Sequence, residues 1–357
     1  MSNEISSSPH SFYKDLSVLF KIRLSSLVII SAITGYAMGV EQWNWTTFTY
    51  LVVGGILLTS GSNGMNQVWE IELDKLMHRT MNRPLPQDRM TLRMATGLSL
   101  AATVVGVILL WGGINLGCGV LGIAAFVLYA FVYTPMKRIS SLAVFVGAIP
   151  GAIPPMIGYV AATNHFGLEA GLLFAVQFIW QFPHFWSIAW VLHDDYARAE
   201  YKLLPFEEGR SKRSAFQIFM YSLFLIPVGM LPWVMPLGHP MIGAWAMWVG
   251  VLSGLAMAFF AMRLYQKCDI PSARQLMFAS FFYLPVVQER HFRGGRHFGH
   301  LPNPGGRCGG LGSVHGSRVQ CQRQHHFARG QHLCWHRAPD HHPTGGPDGR
   351  PEWVRLL

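Results

Sequence analysis

Hydrophobic residues fall in long blocks along this chain, separated by short polar stretches. Blocks long enough to cross about 30 Å of hydrocarbon occupy roughly 17–40, 46–68, 92–113, 116–134, 142–162, 169–192, 215–237 and 241–263. A further block opens near residue 274 and fails after Val287, where the chain turns into Q-E-R-H-F-R-G-G-R-H. The pattern predicts an all-α integral membrane protein, a multi-span helical bundle of eight spans with a truncated ninth. Three segments follow: a polar start at 1–15, a transmembrane domain at 16–288, and a compositionally foreign tail at 289–357.

Composition supports this division. Only 13% of residues are charged and 51% are hydrophobic, against about 25% charged in a soluble domain. The first fifteen residues are polar and no small-residue cleavage site follows the first block, so that block is expected to stay as a span. The five Cys residues form no C-x-x-C pair, which supports neither a zinc site nor a disulfide framework.

The net charge of +10 would suit a nucleic-acid binder, but its placement excludes that reading. Lys14 precedes the first block, Lys21 and Arg23 lie just inside it, and Lys and Arg recur in alternate loops, at Lys75–Arg93, Lys137–Arg138, Arg198–Arg213 and Arg263–Arg274. The intervening loops, near 41–46, 112–115, 163–169 and 236–240, have none. By the positive-inside rule the N-terminus and the basic loops are cytoplasmic, and a bacterial inner membrane is the expected location.

Two of the basic loops also carry acids, which topology does not require. In Asn66–Pro86, residues Asn66, Glu70 and Asp74 are spaced i, i+4, i+8. On a helix each such step turns about 40° past a full circle and climbs about 6 Å, giving one slanting acidic stripe. Arg79 and Arg83 follow. The second loop, Pro183–Pro205, presents Asp194 and Asp195 at the end of another block. Facing carboxylates repel unless a cation lies between them. Oxygen ligands of this kind suit Mg²⁺, which prefers one or two carboxylates plus phosphate oxygens, and Arg suits the phosphate. The pattern is that of a metal–diphosphate site, with the apolar helices lodging a greasy tail.

These residues resemble the UbiA superfamily of intramembrane prenyltransferases. The resemblance is carried by Asn66-x3-Glu70-x3-Asp74, M-H-R-T-M-N-R-P-L-P from Met77, Tyr133-Thr134 with Lys137-Arg138, G-A-I-P-G-A-I-P-P-M-I-G-Y from Gly147, W-Q-F-P-H-F-W from Trp180, and D-D-Y-A-R-A with L-L-P from Asp194 to Pro205. It covers about 15–287. The R-T-x-x-R-P, A-I-P-P and P-H-F-W blocks together point to the branch that acts on haem. The resemblance implies a UbiA-like bundle around a central cavity, and transfer of a farnesyl group from farnesyl diphosphate to the vinyl group of haem b, with water added. A UbiA-type enzyme for an aromatic or quinone precursor is the alternative. The implied metal ligands are Asn66, Glu70, Asp74, Asp194 and Asp195 for Mg²⁺, and Arg79, Arg83, Lys137 and Arg138 would hold the diphosphate. Residue 198, four after Asp194, is Arg where many superfamily members have a further Asp. The implied partners are farnesyl diphosphate, haem b, the lipid bilayer, and haem A synthase or a terminal oxidase assembly.

His184, in P-H-F-W, reads either as a haem contact or as a hydrogen-bonded structural residue. His193, beside the two acids, reads as a diphosphate donor or a solvated loop residue. Pro150, Pro154 and Pro155 lie inside a span, where neighbouring groups must satisfy the carbonyls they free; they read as shaping a cavity.

From Glu289 onward the composition breaks. The last 69 residues hold ten of the sixteen His and ten Arg, with no Lys, Met, Ile or Tyr, and contribute +6 of the +10 charge. A His/Cys-rich metal tail and a basic nucleic-acid arm are two readings. A translated frameshift, leaving a half-length ninth helix, a disordered tail and a chain inactivated by its broken end, is the more economical one.

Overall fold

The structure is a computed structural model and describes residues 12–235 and 241–298, the side chains at 285 and 288–298 excepted. Among the described residues every regular element is helical. A short helix α1 (Phe12–Leu19) leads into α2 (Ile22–Gly39), α3 (Trp45–Trp69) and the short α4 (Ile71–Leu76). Then come α5 (Leu92–Gly113), α6 (Leu116–Val127), a π-helical turn (Leu128–Tyr133), α7 (Thr134–Ile139), α8 (Ala143–Thr163) and α9 (Leu168–Val191). The bundle is completed by α10 (His193–Arg198), α11 (Lys212–Val234), α12 (Ala244–Lys267) and α13 (Ile270–Phe298).

Short polar residues cap the N-termini of α3, α5, α6 and α11. Asn44 accepts from the Thr46 and Thr47 amides, Thr91 from Met94, Asn115 from Cys118 and Ser211 from Ser214. Each such cap is worth about 1 kcal/mol.

Among the described residues, six helices can cross a membrane by length and apolarity: α2, α5, the composite Leu116–Ile139, α8, α11 and α12. The sequence predicts eight and a partial ninth. The helices that fall short, α3 and α9, have the length but carry polar side chains on buried faces. Those are Asn63, Asn66 and Gln67 on α3, and Gln177, Gln181 and His184 on α9. The apolar average drops where a bundle has a polar lumen. Helix α13 is not cut at the composition break: its backbone stays helical through Phe298. The tail from 299 onward, with its expected disorder, lies outside the described residues.

Helix α8 is the axis of one half of the core. It packs on α2 so closely that a Cβ at Gly35 would run into the Pro155 carbonyl, and one at Gly158 into the Ala32 carbonyl. Only glycine permits that approach. Pro155 removes the donor that would serve the Gly151 carbonyl. The Gln177 amide, from α9, approaches that carbonyl at 3.5 Å, and Gln181 donates to Ala148 O at 2.9 Å. The neighbouring helix thus serves one of the carbonyls that the prolines free, that of Gly151.

Candidate active site

The acidic stripe survives a break in its helix. Helix α3 ends at Trp69, Glu70 leaves helical geometry (φ −102°, ψ 12°), and α4 begins at Ile71. The four-residue hydrogen bonds nevertheless run through, from Glu70 N to Asn66 O (3.1 Å) and from Asp74 N to Glu70 O (2.7 Å). Asn66, Glu70 and Asp74 therefore stay on one line, and all three are buried.

Each of the three faces a cation from a different part of the chain. Lys21 Nζ donates to Asn66 Oδ1 at 3.0 Å. Lys137 Nζ lies 2.7 Å from Glu70 Oε1. Arg83 lies 2.6 Å from Asp74 Oδ2. The other oxygen of Asp74, Oδ1, is buried without a hydrogen-bond partner. Burial pushes the Glu70 carboxyl up, but Lys137 and Lys21 outweigh it and hold it below the usual glutamate range. For Asp74 burial wins over Arg83, and its carboxyl is raised. Burial, then the charges of Arg83 and Lys137, press the Lys21 ammonium well below the usual lysine range. Three cations crowded into one buried mouth favour an anion among them.

The π-helical turn positions two of these partners. Pro135 has no N–H for the Phe131 carbonyl, and the turn before it widens. Thr134 gives both its backbone N–H and its hydroxyl to Tyr129 O. It also accepts from Asn66 Nδ2 at 3.2 Å, which fixes the amide so that its oxygen faces Lys21. Lys137 then stands 4.7 Å above the Tyr133 ring and 5.6 Å from the Tyr201 ring, both favourable cation–π placements.

The second acidic pair does something other than join the first. Asp195 accepts from the backbone N–H of His78 at 2.8 Å and of Arg79 at 3.4 Å. It holds the loop that carries Arg79 and Arg83. Asp194 is exposed and accepts from Arg210 at 3.0 and 3.1 Å. Among the described residues no three His, Cys, Asp or Glu gather as a possible metal group. Of the residues read from the sequence as metal ligands, Asn66, Glu70 and Asp74 share one buried line, while Asp194 and Asp195 bond Arg210 and the loop amides.

The basic residues divide likewise. Arg83 and Lys137 are in the buried mouth, and Arg79 lies at its edge, with its guanidinium 5.7 Å from the Tyr196 ring. Arg138 is not there. It pairs with Glu200 at 2.6 Å on the exposed surface, because one residue on from Lys137 a helix points about 100° away. His193 packs against Gly209, whose φ of +69° and contact with the imidazole leave no room for a Cβ. Burial and then Arg210 lower the His193 pKa. His184 is buried in α9, stacked on Trp180 at 4.4 Å, with Nδ1 2.8 Å from Ser280 Oγ on α13.

Two residues were not singled out by sequence for the site. Lys21 reads there as a topological charge; its left-handed backbone (φ 46°, ψ 52°) between α1 and α2 turns it inward. Tyr201 sits among Lys137, Glu70 and Asp74, with its hydroxyl buried beside the Glu70 carboxylate. Burial and then the Glu70 charge raise the pKa of that phenol, so it stays a donor. Its place beside L-L-P was the only signal.

A membrane helix bundle with a buried mouth of alternating acids and bases defines a class of intramembrane enzymes that handle anionic, lipid-tailed substrates. Residues 28–284 match the UbiA prenyltransferase family, and the chain belongs to it. It is 43% identical over 271 residues to a protoheme IX farnesyltransferase of Cytophaga hutchinsonii, covering 76% of this chain and 93% of that one. With the human mitochondrial protoheme IX farnesyltransferase it shares 34% over 277 residues, 76% of this chain and 60% of that one. Among solved structures, a UbiA homologue from Archaeoglobus fulgidus bound to GPP and Mg²⁺ superposes with a TM-score of 0.61 at 11% identity, over 78% of this chain and 99% of that one. A digeranylgeranylglyceryl phosphate synthase superposes with a TM-score of 0.67 at 15% identity, over 79% and 98%. The protein is a prenyltransferase.

Proposed function

We propose that this chain transfers the farnesyl group of farnesyl diphosphate to a vinyl group of haem b, with addition of water, to give haem O. The observation that carries the chemistry is the buried pairing of Asn66, Glu70 and Asp74 with Lys21, Lys137 and Arg83. The choice of haem rests on the likeness to several protoheme IX farnesyltransferases, the first at 43% identity. The P-H-F-W and R-T-x-x-R-P blocks support the same choice.

Arg83 and Lys137, with Arg79 at the rim and Lys21 from below, bind the diphosphate and absorb charge as it leaves. The orphaned Asp74 Oδ1 is a hard oxygen with no donor, and with Glu70 and Asn66 it fits Mg²⁺. When bound there, Mg²⁺ would supply Lewis-acid neutralisation of the leaving diphosphate. Asp195 orients the Arg-bearing loop, and Asp194 with Arg210 braces the loop after α9. Tyr201 can donate to a diphosphate oxygen. The diphosphate end enters from the cytoplasmic side of a bacterial inner membrane, in keeping with the positive-inside pattern.

Membranes containing the protein, given haem b, farnesyl diphosphate and Mg²⁺, should form haem O by mass spectrometry. Prenylation of an aromatic acid or quinone precursor in place of haem b would overturn the choice of acceptor while leaving the diphosphate site intact. Turnover of neither would point to a chain inactivated by its foreign tail.

A further inference from the structure

Ser280 has one proton, and its hydroxyl gives it to Met277 O at 2.6 Å. Towards His184 Nδ1, at 2.8 Å, that oxygen can therefore only accept. The imidazole is locked with its proton on Nδ1, and Nε2 carries a lone pair. No hydrogen-bond partner of Nε2 exists among the described residues. The residue is about nine-tenths buried, with Nε2 itself left accessible. The ring is further fixed by stacking on Trp180 and by the edge of Phe281 at 5.1 Å. Trp180 itself donates to Ser280 O at 3.1 Å, so α9 and α13 are stitched at this one serine.

An imidazole whose Nδ1–H is held by a second group and whose Nε2 is bare has the form of a metal-ligating histidine, whose other nitrogen is nearly always so held. Its neighbours Trp180, Phe185 and Phe281 are aromatic, which suits a flat macrocycle. His184 lies seven residues before the end of α9, about 10 Å at the helical rise, and Asp194 and Asp195 follow on α10. A porphyrin is wide enough to cover much of that depth and bring its edge towards the diphosphate mouth.

We propose that His184 Nε2 ligates the iron of the porphyrin acceptor, and that Ser280 is the positioning residue that sets its tautomer. This rests on haem being the acceptor. The ligand anchors the ring through its centre, leaving the vinyl-bearing edge free to react. Ser280 also lies upstream of the composition break at residue 289, so the lock does not depend on the tail.

The test uses the purified full chain in nanodiscs, titrated with ferrous haem b alone and followed by the iron–histidine stretch in resonance Raman. Wild type should show a five-coordinate imidazole-ligated haem. His184→Ala should lose that stretch. Ser280→Ala should shift it to lower frequency and weaken haem binding about tenfold, the usual cost of removing a group that orients a metal ligand. Ser280 Oγ is bonded to His184 Nδ1, so a shift that depends on Ser280 reports on His184 even if His184→Ala does not fold. An identical stretch in wild type and Ser280→Ala overturns the proposal. Haem O formation in the same preparation separates the two readings. Wild type that makes haem O with no iron–histidine stretch overturns the ligand and leaves the reaction. Wild type that neither binds haem b nor makes haem O overturns both.

Discussion

Lys137 and Glu70, 67 positions apart in sequence, meet at 2.7 Å in a site where both side chains are at least nine-tenths buried. Removing one member of such a pair strands a buried charge and costs about 3–5 kcal/mol. Lys137→Met should therefore lower thermal stability sharply. Adding Glu70→Gln should recover most of that loss without recovering prenyl transfer. A double variant as active as wild type would make the pair structural only.

Asp74 offers one oxygen to Arg83 and leaves the other bare. Chelation should abolish turnover, and Mg²⁺ should restore it. Asp74→Asn, which keeps the shape, should raise the Mg²⁺ needed for half-maximal rate at least tenfold, equivalent to about 1.4 kcal/mol. Unchanged Mg²⁺ dependence would remove Asp74 from the metal site.

Arg83 and Arg138 look alike in sequence and differ in place. The Arg138–Glu200 pair is exposed, where ion pairs contribute about 0–1 kcal/mol. Arg138→Ala should leave the rate within about threefold of wild type, in line with that range. Arg83→Ala should lower kcat/KM by about a hundredfold or more, the scale of losing a donor to a leaving anion. Equal losses in the two variants would contradict this division.

Asp195 holds the loop through two backbone amides. Asp195→Ala should raise KM for farnesyl diphosphate while leaving the Mg²⁺ requirement as it is. A shift in Mg²⁺ requirement with KM unchanged would restore Asp195 to the role of metal ligand that the sequence suggested.

We propose that a change of reading frame underlies the foreign composition from Glu289 onward. Resequencing the source gene across the codons for Val286–Arg290 should reveal a shifted base and an apolar continuation. An intact frame there would dispose of the idea and make the 69-residue tail a property of the protein.

Sequence alone determined the membrane bundle and most of its helix positions, because burial in lipid demands long apolar blocks and short polar caps. It also determined the acidic stripe, because a four-residue spacing needs only local helical geometry. Only the tertiary structure decided which charges meet. Lys21 enters the site through a left-handed turn, and Lys137 through a π-helical one. Arg138, one residue on, is turned out to the surface. Spacing shows that Asp194 and Asp195 lie near a membrane end; packing decided that Arg210 and the His78 and Arg79 amides are the donors that reach them. The tautomer of His184 depends on a serine 96 positions away, contributed by another helix. Periodicity records which face a residue occupies; the partner across that face comes from elsewhere in the chain, and packing alone selects it.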